Sequence, residues 1–158
     1  MPEHSLLTQL LELPNVRVID YDLISRESLH VTIESTLAAA VCPNCQQISE
    51  ATHGHAEQQL IRDLAIWQRR CWLRYRPRRF QCANCQTTFG ERVVWREAEF
   101  VYTQRYERAV YERARREPIR QIAQQEQLSE DIVHGIFARW AKKLDATRLS
   151  PCDGARFG

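Results

Sequence analysis

Two cysteine pairs with the same spacing are the residues best suited to chemistry in this sequence. Cys42 and Cys45 enclose Pro-Asn, and Cys82 and Cys85 enclose Ala-Asn. This spacing lets both thiolates and the backbone N–H groups of a tight turn converge on one ion. Two such turns supply the four ligands of a tetrahedral Zn²⁺ site. The sequence therefore predicts one structural zinc ion held by these four cysteines.

Two other chemistries also use closely spaced cysteines. A disulfide framework needs an oxidising compartment, and residues 1–14, which carry Glu3 and Glu12 and no basic stretch, do not resemble a secretory signal. A thioredoxin-like redox pair needs one such motif followed by a helix, whereas this chain has two motifs with Asn before the second cysteine. Both are disfavoured relative to zinc. The 36 residues between the pairs exceed the common spacing of about 15–20, and we expect a hairpin to fill that gap.

His53 and His55 lie close enough to Cys45 in the sequence to be ligands. Four cysteines already close the shell of a structural site, so we expect both histidines to lie outside it. A catalytic zinc would instead keep an open position among mixed ligands. Cys71 and Cys152 have no partner at ligand spacing; we expect Cys71 in the core of a strand and Cys152 to be a tail thiol.

Charge is distributed unevenly along the 158 residues. The formal net charge is only +2, yet residues 1–59 sum to −6 and residues 60–120 to +8, and 20 of the 22 basic residues are Arg. The guanidinium fork suits phosphate and guanine edges, so the middle of the chain favours an anionic partner. An Arg-rich solvated surface is the alternative. No apolar run approaches the about 18 residues of a membrane span, and we expect a cytoplasmic chain with no membrane partner.

Hydrophobic patterning predicts a β-rich first part. Residues 6–11 favour a short helix that ends before Pro14, and residues 16–23 and 29–33 favour two strands joined by a turn. In the first of these, Arg17, Ile19, Tyr21 and Leu23 are expected on one side.

Two further strands are predicted between the cysteine pairs, over residues 58–67 and 70–80. Period two in the second places Arg74, Arg76 and Arg78 on one face of a sheet, with Arg79 beside them. Such a row of like charges opposes folding unless phosphates neutralise it.

After Phe89 the pattern becomes helical. Tyr102, Tyr106 and Val110 lie on one stripe of a helix predicted over residues 102–116, and Pro118 opens the next helix. Ser129 is a good N-cap for a third helix that runs to about Lys143.

The last two predicted helices have the layout of a helix-turn-helix motif. Ala123 lets the two helices cross closely and Leu128 plugs the turn between them. An ordinary helical hairpin is the alternative. The apolar face of the last helix is expected to consist of Ile132, Val133, Ile136, Phe137 and Trp140.

The order of these motifs resembles the N-terminal part of transposases of the ISL-three insertion-sequence family. The likeness covers roughly residues 15–145 and is most specific at Arg78 to Arg92, where Arg-Arg-Phe, the second cysteine pair and Phe-Gly-Glu-Arg follow one another. The resemblance implies a zinc-binding domain, a helix-turn-helix and then a DDE catalytic domain of RNase H-like fold. The chain ends about where the first catalytic Asp would follow, and it contains no acidic trio suited to two Mg²⁺ ions.

The sequence thus predicts an α+β protein: a small antiparallel-sheet, zinc-ribbon-like domain over residues 1–95, an all-α helix-turn-helix domain over 96–146, and a linker or disordered tail over 147–158. The expected function is sequence-specific binding of double-stranded DNA, at transposon ends, by a non-catalytic part or truncated product of a transposase. A homodimer and association with the bacterial nucleoid are also expected, with no catalytic residues in this chain.

The expected DNA contacts divide by role. The arginines contact phosphate, His134 is the leading candidate for a base contact, and Glu130 and Asp131 either accept from cytosine N4 or stabilise the helix dipole. If His134 contacts no DNA, the helix over residues 102–116 becomes the candidate for the groove. The full set is Arg74, Arg76, Arg78, Arg79, Arg115, Arg116, Arg120, Ser129, Glu130, Asp131, His134 and Arg139.

Two other functions remain open at this point. A zinc-ribbon interaction protein would use the Arg-rich segment to bind RNA or an acidic protein, and a stand-alone transcriptional regulator would bind DNA outside transposition.

Overall fold

The computed structural model describes residues 2–97 and 99–149, and the chain divides into two compact units, Met1–Gln104 and Arg105–Gly158. The first unit holds the β-strands and the second is helical, so the predicted α+β class is confirmed. The helices of the described residues are α1 (Pro2–Leu11), α2 (Gln104–Ala114), α3 (Ile119–Glu126) and α4 (Glu130–Leu149). The strands are β1 (Val16–Ser25), β2 (Ser28–Ser35), β3 (Ala40–Val41), β4 (Ile48–Ser49), β5 (Thr52–His55), β6 (Gln59–Ile66), β7 (Arg69–Tyr75), β8 (Arg78–Gln81) and β9 (Thr88–Gly90).

A four-stranded sheet with the order β1-β2-β7-β6 forms the larger part of the first unit. Two antiparallel hairpins, β1–β2 and β6–β7, meet along the parallel pair β2–β7, in which Leu29, Val31 and Ile33 face Cys71, Leu73 and Tyr75. Parallel neighbours need a crossover connection, and here the segment that bears the first cysteine pair lies within it.

One face of this sheet packs under α1 and forms the main core. The predicted N-terminal helix and the first two strands are confirmed, and Cys71 is fully buried in this core, as expected. The buried members are Leu11, Leu13, Val16, Val18, Leu29, Val31, Ile33, Ile61, Cys71, Leu73, Tyr75 and Trp95.

A β-bulge between Val18 and Asp20 changes the alternation along β1. The extra residue shifts the side-chain phase, so Tyr21 pairs with Val31 and Leu23 with Leu29, on the face of those core residues. The predicted grouping of Arg17 and Ile19 with Tyr21 and Leu23 is therefore wrong.

The single strand predicted over residues 70–80 is also wrong. β7 ends at Tyr75 and β8 begins at Arg78, in a different sheet. Pro77 lies at the break, since proline has no N–H to donate to a ladder. Arg74, Arg76 and Arg78 consequently do not share one sheet face.

The cysteine pairs lie in the turns that join β3 to β4 and β8 to β9, which belong to two small sheets, β3-β4 and β5-β8-β9. Their core contains Phe80 and Phe89, whose rings stack with centroids 5.9 Å apart, together with the buried Cys42 and Cys82. This apolar core is small for the five short strands that it stabilises.

The three helices of the second unit lie close to their predicted positions, but two details differ. Ile132 is 37% exposed, whereas Val133 and Ile136 are fully buried, because Ile132 lies about 100° around the helix from Val133 and outside the buried stripe. Residues 147–149, predicted to begin a tail, continue α4 to Leu149 since no Gly or Pro interrupts the helix there. Cys152 lies outside the described residues.

Candidate metal centre and nucleic-acid interface

Each cysteine pair forms a turn between two short strands. In the first turn, the N–H of Gln46 donates to the C=O of Cys42 at 2.9 Å, and the N–H of Cys42 donates to the C=O of Gln47 at 2.8 Å. The chain reverses at Gln46, whose φ of 61° lies in the left-handed region. This geometry turns Cys42 and Cys45 toward the same point.

The second turn repeats the first. The N–H of Gln86 donates to the C=O of Cys82 at 2.9 Å, the N–H of Cys82 donates to the C=O of Thr87 at 2.9 Å, and Gln86 has a φ of 62°. The two turns are therefore equivalent knuckles with one hydrogen-bonding pattern.

The four sulfur atoms form one compact group, with all Sγ atoms within 4.8 Å of one another. Across the knuckles, Cys42 and Cys85 are 3.6 Å apart and Cys45 and Cys82 are 3.5 Å apart. A tetrahedral site with Zn–S bonds of about 2.3 Å requires sulfurs roughly 3.8 Å apart. The predicted four-cysteine site for one zinc ion is thus confirmed, and its closed shell of thiolates is that of a structural site.

The environment of the sulfurs favours thiolates at two positions. Hydrogen bonds from the side chains of Thr87 and Asn44 lower the pKa of Cys85 to about 5. A hydrogen bond from the side chain of Asn84, then one from the backbone of Gln47, lowers the pKa of Cys45. Asn44 and Asn84 each act on a sulfur of the opposite knuckle.

The sequence interpretation assigned these asparagines no role at the sulfurs. The signal was present in the repeated Asn before the second cysteine of each pair. His53 and His55, in contrast, are exposed on β5 and do not belong to the group of sulfur ligands.

The arginines predicted to form a stripe fall into two classes. Arg74 pairs with Asp22, and Arg78 lies 3.7 Å from the fully buried carboxylate of Glu91. Arg76 and Arg79 are exposed, and neither has an ion-pair partner within the described part of the chain.

Glu91 explains why Arg78 is retained inside the fold. Its Oε1 accepts the hydroxyl of Tyr75 at 2.5 Å and the backbone N–H of Arg78 at 2.8 Å. The guanidinium of Arg78 also donates to Ser35 at 3.2 Å and to the carbonyl of Leu37. Arg78 is therefore a structural cation in the first unit.

The helix-turn-helix in the second unit has a well-defined turn. The C-cap Gln127 is left-handed, with a φ of 55°, and the N–H of Leu128 donates to the C=O of Ala123 at 2.9 Å. Leu128 is half-buried and Ala123 is buried, as expected for the plug and the small crossing residue. The predicted N-cap is confirmed, because Ser129 Oγ accepts the N–H of Ile132 at 3.2 Å.

A buried carboxylate on α2 holds α4 in place. Glu107, only 4% exposed, accepts Arg139 at 2.5 Å and the indole N–H of Trp140 at 3.1 Å. Arg139, expected to contact DNA, is therefore engaged inside the unit.

A second polar cluster links α2 to α3. Glu126 accepts the hydroxyl of Tyr106 and the guanidinium of Arg113, both at 2.9 Å, and Arg113 also pairs with Glu117 at 2.8 Å. Together with Glu107, this cluster fixes all three helices relative to one another.

The remaining predicted DNA contacts are exposed at two places in the second unit. Ser129, Glu130, Asp131 and His134 occupy the beginning of α4 and the residue before it. Arg115 and Arg116 follow α2, and Arg120 lies in the first turn of α3; all three are exposed, and Arg115 is 3.2 Å from Glu112.

None of the helices in the described part of the chain combines the length and apolar character needed to span a bilayer.

Two family models match the chain in series. Residues 38–85 match the zinc-finger of transposase IS204/IS1001/IS1096/IS1165, and residues 92–141 match the helix-turn-helix domain of transposase family ISL3. The first match includes all four cysteines and the second includes α2, α3 and the start of α4. No curated protein and no solved structure matched the chain. A helix-turn-helix of this family indicates binding to DNA. Residues 38–141 therefore belong to the ISL3 transposase family, as its zinc-finger domain followed by its helix-turn-helix domain.

Proposed function

We propose that this chain binds duplex DNA sequence-specifically, at the ends of a transposable element, and that α4 reads the bases. The observation that carries the proposal is the helix-turn-helix, in which α4 begins with polar exposed side chains while its apolar face packs on α3. Residues near the start of a recognition helix are those that reach base edges in the major groove.

His134 is the residue we assign to base contact. It is exposed one turn into α4, beyond the capped end at Ser129. Glu130 and Asp131 lie at the helix start, where they favour the positive end of the dipole. We keep both roles for these acids, because a carboxylate there can also accept from cytosine N4.

Phosphate contacts come from the exposed arginines. Arg115, Arg116 and Arg120 lie around the connection from α2 to α3. This connection precedes the helix-turn-helix, whose second helix would enter the major groove of DNA. In the first unit we assign phosphate contact mainly to Arg76 and Arg79, since Arg74 and Arg78 are neutralised by acidic partners. Arg139 contributes by orienting α4 through Glu107.

Within transposition, these two domains would supply recognition of the ends as the N-terminal part, or a truncated product, of a transposase. Strand cleavage and transfer would belong to a catalytic DDE domain of the longer protein. A homodimer would match two half-sites related by symmetry, as dimers of helix-turn-helix proteins do. Such a chain would be found with the DNA of the bacterial nucleoid.

Selection from a library of random DNA duplexes tests the proposal. The zinc-loaded chain should enrich one DNA motif. That motif should occur in the terminal segments of the transposable element that encodes the chain but not in its interior. The affinity should fall linearly on a log scale with salt. Absence of an enriched motif, or tighter binding to RNA of matched length, would contradict the proposal and favour an RNA-binding zinc protein.

A further inference from the structure

An apolar groove lies on the first unit, at the four-stranded sheet and not at the two small sheets beside the zinc cysteines. Its walls come from α1, the β1–β2 hairpin and the β6–β7 turn, and its volume is 380 Å³. α1 covers the beginning of β1, where the N–H of Val18 donates to Thr8 at 2.9 Å, but the sheet continues past that contact. Tyr21 and Leu23 thus stand on the core face of the sheet and are 38% and 64% exposed.

Trp67 at the edge of this groove is the most exposed large apolar side chain described, at 77%. It also occupies a conformation that suits tryptophan poorly. Trp67 and Gln68, the central residues of the β6–β7 turn, have φ values of 46° and 66°. Turns with two positive φ values favour Asn and Gly. A bulky aromatic residue at this position costs stability in the monomer and exposes an apolar surface.

The exposed apolar area amounts to about three-quarters of one side of a standard interface. Leu6 and Leu10 on α1 are 56% and 57% exposed and extend the surface formed by Tyr21, Leu23 and Trp67. At about 200 Å² for a fully exposed large side chain, these five fractions amount to roughly 600 Å². A standard interface buries about 800 Å² per partner. The largest apolar patch on a typical monomer is about 300–600 Å² and is often functional, so this patch is at the upper end of that range.

Charges at the groove favour a second copy of this chain as the occupant. Glu3 and Arg69 both line the groove, and neither forms an ion pair within the described part of the chain. In a two-fold contact each surface meets itself, so Glu3 of one copy can pair with Arg69 of the other, twice per dimer. One unpaired acid and one unpaired base on the same apolar surface are thus self-complementary.

We propose that two copies of this chain form a symmetric dimer through this groove, with the Trp67 side chain of each copy inserted into the groove of the other. This deepens the homodimer of the proposed function and rests on that part of it alone. The dimer needs no DNA. Exposed Asp20 and Asp22 on the edge strand β1 disfavour the alternative of edge-to-edge strand pairing.

Sedimentation of the full zinc-loaded chain without DNA, over a roughly hundredfold range of concentration, tests the dimer. The wild type should change from monomer to dimer. Trp67→Asn should weaken the dimer about tenfold or more, and it should raise the Tm of the monomer because Asn suits the turn. Leu23→Glu should also give monomers, whereas the control Ile48→Glu, at a side chain 72% exposed on β4, should not.

The charge pair gives a second readout. Glu3→Arg and Arg69→Glu should each weaken the dimer, and the double variant should restore it. A wild type that stays monomeric throughout, or a dimer unaffected by Trp67→Asn, would overturn the proposal. If Leu23→Glu does not fold, Trp67→Asn and the charge variants still decide. A wild-type chain that dimerises but does not bind DNA would count against the proposed function and leave this inference standing.

Discussion

The zinc knuckles and the three-helix unit are held together by different forces. Around the knuckles, the buried apolar cluster consists of Phe80 and Phe89 together with the ligands Cys42 and Cys82. The helices bury a larger apolar set, which consists of Tyr106, Val110, Tyr111, Ile122, Ala123, Val133 and Ile136. They add polar links through Glu107 and Glu126.

This difference indicates which of the two regions depends on zinc for its stability. Short strands with two buried aromatic side chains cannot offset the conformational entropy of ordering the segment, so the Zn–thiolate bonds must supply the stabilisation. The helical unit contains its own core and hydrogen-bonded ion pairs. We therefore expect zinc removal to unfold the knuckles and leave the helices folded.

The largest effect is expected from Cys82→Ser. Structural zinc binding supplies about 10–16 kcal/mol of apparent free energy in small zinc domains, so the variant should lose the metal and the cooperative unfolding of the knuckles. Elemental analysis should give one zinc per wild-type chain and none for the variant, while the helical signal in circular dichroism persists. Cys152→Ser is the control and should retain the metal. Wild-type protein purified without chelator and free of zinc would contradict this prediction.

Glu107→Ala should damage the helical unit and spare the zinc site. It leaves the guanidinium of Arg139 and the indole N–H of Trp140 without their shared acceptor, at an expected cost of about 2–3 kcal/mol in unfolding free energy. Urea denaturation followed by helix content measures the change. Glu112→Ala, on the same helix, removes an exposed pair with Arg115 and should cost less than about 0.5 kcal/mol. Equal losses from the two variants would contradict the role assigned to Glu107.

Replacing Arg76 and Arg79 together by Ala should affect binding without affecting folding. Because both are exposed and without ion-pair partners in the described residues, affinity for every duplex should fall roughly tenfold. The salt slope should flatten by about 0.9 per lost contact. Arg26→Ala, at an exposed arginine outside the positively charged residues 60–120, is the control. Unchanged affinity and slope would make these arginines a solvated surface.

Ser129→Ala should have the smallest effect. Loss of the N-cap hydrogen bond to Ile132 should reduce the unfolding free energy of the helical unit by about 1 kcal/mol. Ser129→Asn preserves an acceptor at the cap and should recover most of the loss. A destabilisation that Asn does not recover would mean that the cap is not the cause.

Local spacing was sufficient to predict the metal site and the helix-turn-helix. The ligands lie in pairs three residues apart, and a cap such as Ser129 acts on a residue three positions away, so both are decided within one turn of chain. The repeated cysteine spacing also places Asn44 and Asn84 at equivalent positions before the second cysteine of each pair. That each asparagine acts on a sulfur of the opposite knuckle depends on how two turns that are distant in the sequence meet.

Long-range partners account for the errors. The arginine pattern from Arg74 to Arg78 could not reveal Asp22 and Glu91, which are 52 and 13 residues away along the chain, although Pro77 could have indicated the break between strands. Alternation likewise failed at the bulge in β1, because a single inserted residue moves every later side chain to the other face. The exposure of Ile132 follows from the exact placement of α4 against α3.

Whether α4 reads DNA sequence can be measured through the specificity ratio of His134→Ala. The quantity measured is the affinity for the selected duplex divided by that for a shuffled duplex, for wild type and variant at the same salt. We expect the variant to bind the selected duplex roughly ten- to a hundredfold more weakly than wild type and the shuffled duplex nearly as well. An equal loss on both would place His134 at the phosphate backbone. No loss on either would contradict the claim and move the groove contact to α2.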